Sequence, residues 1–410
     1  MTITRRGALR ATAASVLLPG LSRPARAQAP IIRLGVLNDQ SGTYRDDTGP
    51  VSVVCTRQAV EEFAGQHPDL KVEVLSADHQ NKPDVGAGIA RSWFDEGGVD
   101  AILDVPTSSV ALAVNTICRE KNKVYLNSGA ATADLTGMQC SPNTVHWTYD
   151  TYMLGKSTGG ATVKAGGDTW FFITADYVFG QQLQRDTTRF VQEAGGKVLG
   201  ARAYPFPDTT DFSSLLLQAQ SSGAKVLGLA NSGIDTVNCI KQAHEFGITA
   251  SMKIVALLMY DGNVRSVGLA DAQGLVMTES FYWDLNDRTR AFWQRVKPKT
   301  PTRPPNMIQA GCYAAALHYL KTVAALGPTA AKADGRAAVA HMKSMPTDDD
   351  AFGSGRIRED GRKIHPSYLM QTKTPAESKS EFDVLKLVAT TPADEAFRPM
   401  SEGGCSLVRQ

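Results

Sequence analysis

Short runs of β-branched and apolar residues alternate with longer stretches whose apolar positions recur every three or four residues. The first run, Ile31 to Asn38, predicts a buried strand ending at the polar loop Asp39-Gln40-Ser41-Gly42-Thr43-Tyr44. Val53 to Phe63 then reads as a helix, Lys71 to Ser76 as a strand and Asp84 to Glu96 as a helix. Ala101 to Val105 is a buried strand, followed by Pro106-Thr107-Ser108-Ser109 and the helix Val110 to Glu120. Lys123 to Asn127 is a further strand, ending at Ser128-Gly129-Ala130. Strand, crossover helix and strand in repetition predict a parallel sheet covered on both faces.

The pattern restarts after Trp147-Thr148-Tyr149. Strands are expected at Thr169 to Thr174, Lys197 to Tyr204, Lys225 to Ala230, Lys253 to Leu258 and Leu275 to Thr278. Helices are expected at Phe179 to Ala194, Asp211 to Gln220 and Asp235 to Glu245, and a long one at Ile308 to Ala325. Gly353-Ser354-Gly355 and Glu359-Asp360-Gly361-Arg362 read as turns joining short strands. The fold class is therefore α/β, with two doubly wound parallel-sheet lobes. Ligands of such sheets bind beyond the carboxyl ends of the strands, so two facing sheets predict a cleft between lobes.

The chain of 410 residues exceeds what one hydrophobic core usually serves, which agrees with two lobes. Its first 27 residues have their own logic: Arg5 and Arg6, an apolar stretch from Ala11 to Leu21, then Ala25-Arg26-Ala27. This is the layout of a twin-arginine export signal with a small-residue cleavage site, and the apolar stretch falls short of the ~20 residues that span a bilayer. Export to the periplasm is expected. The formal charge of the whole chain is +2; Arg5, Arg6, Arg10, Arg23 and Arg26 lie in the leader, which carries no acid, so the remainder stands at −3. No basic footprint for nucleic acid remains.

Six cysteines are scattered without metal-ligand spacing, so neither a metal site nor a cofactor is expected. Cys140 sits in the loop Gln139 to Asn143 and Cys405 in a tail after Gly403-Gly404, and these two are the candidate disulfide. Cys55, Cys118, Cys239 and Cys312 fall in helical patterns and read as small buried hydrophobes. Asp78-His79-Gln80-Asn81 reads as a polar loop rather than a metal cluster. Gly155-Lys156-Ser157 lacks the remaining glycine of a phosphate loop, and no G-x-S-x-G nucleophile elbow occurs. With no nucleophile–base pair evident, an enzyme is not expected.

In order and spacing, the chain resembles the periplasmic leucine/isoleucine/valine-binding protein family, the solute receptors of ABC importers. The resemblance rests on Asp39-Gln40-Ser41-Gly42, Asp104 to Ser109, Asn127 to Thr136, Asp176 to Gly180 and Asp208 to Ser213. It implies a monomer of two lobes joined by three crossovers, placed here near Trp147 to Tyr149, Tyr282 to Asp284 and Gly353 to Ile357. Lobe 1 then comprises 28–147 and 284–354, lobe 2 comprises 148–283 and 355–390, and 391–410 form a tail. The partners implied are a small carboxylate ligand and the membrane permease subunits of an importer. A sensory module of the same fold is the alternative role.

The family holds its ligand carboxylate with a hydroxyl and backbone N–H groups at helix starts, which match Thr107 with Ser108 and Gly129, Ala130 and Ala131 here. Plain N-capping needs the same residue types at Thr107 and Ser108. Ser41, Tyr44, Asp47, Tyr149, Tyr177, Phe179, Asn231, Ser232, Met259 and Tyr282 complete the expected ligand contacts. Two departures stand out. The family's second-loop hydroxyl falls on Ala131, and the stretch matching its ammonium-holding acid, Val255 to Tyr260, has no acid before Asp261. The cleft is instead rich in candidate aromatics, including Phe281 and Trp283. An aromatic monocarboxylate is therefore expected, with a branched-chain or other amino acid as the alternative. Trp170, Phe172 and Phe206 read as lobe core.

Overall fold

The computed structural model describes residues 30–408, so the export leader read at 1–27 lies outside the described residues. Five parallel strands form the first sheet: β1 (Ile32–Asn38), β2 (Val72–Asp78), β3 (Ala101–Asp104), β4 (Val124–Asn127) and β5 (Thr144–His146). Their order is β2-β1-β3-β4-β5. The crossovers carry α1 (Gly49–Gln66), α2 (Pro83–Asp95) and α3 (Ser108–Glu120). The second sheet holds β6 (Thr169–Ala175), β7 (Lys197–Tyr204), β8 (Val226–Ala230) and β9 (Lys253–Ala256), all parallel, in the order β7-β6-β8-β9. Around it lie α4 (Thr151–Lys164), α5 (Val178–Glu193), α6 (Ser213–Ser221), α7 (Ile234–Glu245) and α8 (Asp261–Val267).

Strand position in the sheet explains strand composition. β3, β4 and β8 are buried at every residue, apolar throughout in β8 and up to the terminal Asp104 and Asn127 in β3 and β4, whereas the edge strands β2 and β7 are partly exposed along most of their length. The helix α1 begins before its apolar periodicity does, because Gly49 and Pro50 occupy its first turn and Pro is accommodated there. Glycines that made no phosphate loop have a packing role: a Cβ on Gly155 would stand 2.9 Å from the Thr187 backbone nitrogen, so α4 and α5 touch backbone to backbone at that point.

Two expectations are corrected. β10 (Val276–Glu279) does not join the second parallel sheet; it pairs antiparallel with β13 (Ser367–Thr372), which in turn pairs antiparallel with β14 (Leu385–Thr391). Its partner lies far downstream, beyond the reach of local periodicity. Between them β11 (Arg356–Ile357) and β12 (Lys363–Ile364) form a hairpin placed against the first sheet: His146 N–H donates to Gly361 O (2.9 Å) and His146 bridges Arg362. The segment 355–364 thus sides with the first sheet rather than the second. The chain returns at His365-Pro366, where His365 Nε2 lies 3.1 Å from Thr148 O on the first connecting segment.

The buried core runs through both sheets, from Ile32 and Leu34 to Trp170 and Phe172, with separate apolar layers on the far face of each. Cys140 and Cys405 are disulfide-bonded, and the other four cysteines are free and buried. Among the described residues no helix is long and apolar enough to cross a membrane.

Candidate ligand-binding cleft

The loops at the carboxyl ends of the strands converge on a narrow cavity of about 10 Å³ between the closed lobes. After β1, the Asp39 carboxylate accepts the N–H groups of Ser41 (3.2 Å), Gly42 (2.6 Å) and Tyr44 (2.7 Å) and Nδ2 of Asn81 (2.7 Å). Four donors on one side chain wind this loop tightly, which carries Tyr44, Asp47 and Thr48 into the cavity wall. After β3, Asp104 (φ 74°) and Val105 (φ 58°) both occupy the left-handed region, a conformation costing about 1–3 kcal/mol per residue, and so bend the chain to bring Pro106 to the wall. Gly129 and Ala131 come from the loop after β4; Tyr149 follows the first connecting segment; Tyr177, Phe179, Ser232, Leu258 and Tyr260 come from the second lobe; and Ile308 opens the helix Met307–Leu326.

Hydroxyl pairs and amides close the two halves on each other. Tyr44 and Tyr177 share a hydrogen bond of 2.6 Å across the cleft, and Phe206 stacks on both rings, at centroid distances of 5.5 and 4.4 Å. Ile234 N–H donates to Thr43 O (3.3 Å), and Asn263 Nδ2 donates to Asp47 Oδ1 (2.9 Å). That approach needs Gly233: its φ is 64°, and a Cβ there would lie 2.6 Å from Thr43 O. The Tyr149 hydroxyl donates to Gly129 O (2.6 Å), so in its 2.8 Å pair with Tyr260 the proton comes from Tyr260.

Burial sets the electrostatics. It pushes the phenols of Tyr44, Tyr149, Tyr177 and Tyr260 up, leaving neutral hydroxyls. It pushes Asp47 up to about 8, and Asp104 and Asp261 up to about 7. Glu279, fully buried near Asp261 and Asp47, is raised by burial first and by those neighbouring charges second. Among the described residues, two buried side-chain groups of the wall have no partner, Asp47 Oδ2 and Ser232 Oγ, and the N–H groups of Ala131, Tyr149, Phe179, Ser232 and Leu258 make no hydrogen bond. A buried polar group left unpaired costs about 1–3 kcal/mol, so an occupant gains by offering acceptors to these N–H groups and complementary groups to Asp47 and Ser232.

Of the residues expected from sequence, Tyr44, Asp47, Gly129, Ala131, Tyr149, Tyr177, Phe179 and Ser232 line this cavity. The others stand elsewhere. Ser41 is exposed and donates to Asp78; Thr107 donates its hydroxyl to Asn81 Oδ1, which spends its proton; Ser108 and Ala130 are buried but do not line the cavity. Asn231 accepts from Thr236 (2.7 Å), and Met259 is in the second lobe's core. Tyr282 and Trp283 both donate to Phe382 O (3.1 and 3.0 Å), and Phe281 packs on Phe292 and Phe352. The chain turns at Trp283, so Tyr282 and Trp283 meet the same acceptor instead of reaching the cavity. Phe206, read as core, is half-buried over the cleft. Thr48, Pro106, Leu258, Tyr260 and Ile308 went unnoticed; Leu258 and Tyr260 lie just past the C-terminal end of β9, a position that alone could have flagged them.

Two parallel sheets with a walled cavity between their strand ends are the architecture of a two-lobed binding protein. Residues 31–379 match the family description "Periplasmic binding protein", and the chain belongs to that family. It is similar to a periplasmic binding protein from Burkholderia mallei, 45% identical, with a TM-score of 0.88 over 93% of this chain and 100% of that one. It is similar also to a branched-chain amino acid ABC transporter periplasmic ligand-binding protein from Burkholderia xenovorans, 37% identical, with a TM-score of 0.80 over 92% of this chain and 99% of that one. An R. palustris ABC transporter solute-binding protein, solved in complex with benzoate, shares the fold at 19% identity and a TM-score of 0.77, over 92% and 100% of the two chains. Leu/Ile/Val-binding protein homolog 4 of Brucella abortus is 24% identical over 256 residues, 59% of this chain and 60% of that protein's length. These are solute-binding receptors, not enzymes.

Proposed function

We propose that this protein is the exported receptor of an ABC importer and that its cargo is a small aromatic carboxylate. The observation that carries the ligand reading is the wall itself. The rings of Tyr149, Tyr177, Phe179 and Tyr260, with Leu258 and Ile308, line a narrow slot whose flat apolar walls would flank a planar body once the lobes part to admit it, and the Ala131 N–H there makes no hydrogen bond and is free to donate to a carboxylate. Closure of the lobes on the ligand, held by contacts such as Tyr44 to Tyr177, would present one form of the receptor to the permease. The arginine pair of the leader assigns export to the twin-arginine route, with the receptor acting as a monomer.

A thermal-shift and calorimetric panel of benzoate, 4-hydroxybenzoate, cinnamate, leucine and an aliphatic acid tests the reading. A benzoate at about 100 times its dissociation constant should stabilise the protein by about 2.7 kcal/mol. Tight leucine binding with no benzoate binding overturns it. A branched-chain amino acid is the second reading, favoured by the name of the Burkholderia xenovorans relative.

A further inference from the structure

We infer that the part of the cavity wall formed by Asp47 and Ser232 is a subsite for a hydroxyl on the ligand. The inference rests on the aromatic-carboxylate reading above and adds to it the chemistry of this part of the wall.

Asp47 is buried to 2% exposure and forms part of the cavity wall; Oδ1 accepts from Asn263, while Oδ2 has no partner among the described residues. Ser232, also in the wall and buried, has an unpartnered Oγ. The two segments meet here: a Cβ built on Gly233, the residue after Ser232, would lie 3.1 Å from Asp47 Oδ2. One group is a carboxyl oxygen and the other a hydroxyl that must both give and receive. A ligand hydroxyl answers both at once, donating to one and accepting from the other; a methyl group at the same place leaves both unpaired.

Asn263 reaches Asp47 from the second lobe, so the group that would meet the hydroxyl is also one that joins the lobes.

The test compares 4-hydroxybenzoate with 4-methylbenzoate, which are similar in size, by calorimetry on the full chain and on Asp47→Ala and Ser232→Ala. The wild-type protein should prefer the hydroxyl compound by about tenfold or more, and each variant should shrink that preference toward one. Urea unfolding of both variants checks folding, and Asp47→Asn replaces Asp47→Ala if the latter is unstable. A wild-type preference near one, or a preference untouched by both variants, overturns the subsite while leaving a ring carboxylate as cargo. If neither benzoate binds and leucine does, the functional reading itself falls, and the subsite with it.

Discussion

Asp47→Asn should flatten the pH dependence of stability of the ligand-free protein above neutrality. Burial raises the Asp47 pKa from 3.8 to about 8, so the folded protein retains a proton that the unfolded chain releases near pH 4. Between those values the folded state binds more protons than the unfolded state, and stability falls as pH rises. Asp104, Asp235 and Asp261, raised to about 7, act in the same direction up to about that pH. The buried histidines act oppositely: His79 and His318, lowered to about 4, and His146 and His365, lowered well below 6.5, favour folding as pH rises to about 6.5 and contribute nothing further above it. From pH 7 to 8 Asp47 acts alongside Glu279, which burial holds well above 4.5, and against Lys363, which burial lowers to about 8, so the share of Asp47 is read from the difference between the slopes of wild type and variant. One proton per pH unit corresponds to about 1.4 kcal/mol per unit, the upper limit of its share. Urea unfolding at a series of pH values from neutrality to about 8 measures that slope in both proteins. Equal slopes would mean that Asp47 is already ionised in the folded state, and the reasoning from its burial would be wrong.

Tyr177→Phe removes one hydroxyl of the interlobe pair and strands Tyr44 without its partner, so stability should fall by about 1 kcal/mol with the stack on Phe206 kept; an unchanged urea midpoint would argue that water replaces the contact. Cys140→Ser opens a covalent loop of 265 residues and should cost about 2–5 kcal/mol, with the wild type losing the same amount in reductant and the variant being indifferent to it. Gly155→Val forces a branched side chain against the Thr187 backbone and should cost about 1–3 kcal/mol or more, whereas the same change at Gly160, which faces open space, should cost far less.

Much of the fold was legible because the signal is local. A strand buried on both faces must be apolar throughout, and a covering helix must repeat its apolar residues every three to four positions, so most of β1 to β9 and their helices appear in the chain within a few residues of their true ends. The site was legible by halves. Tyr44, Asp47 and Tyr177 follow strand ends, where open sheets place their ligands, and they do reach the cavity. Thr107 follows a strand end too, yet Asn81, 26 residues earlier and linked to it by no pattern or motif, takes its proton. Tyr282 and Phe206 changed places: the residue read as a ligand contact bonds to Phe382 O, and the residue read as core lies over the cleft.

What the chain determined alone is the alternation of strands and helices, hence two parallel sheets and the ends at which their loops gather, because hydrophobic period depends only on near neighbours. What tertiary structure decided is everything that depends on distant segments meeting. β10 finds its antiparallel partner in β13; Gly361 extends the edge of the first sheet; Asp47 of one lobe meets Asn263 of the other. An unpaired oxygen is a property of such meetings, since a polar atom lacks a partner only once every neighbour has been placed.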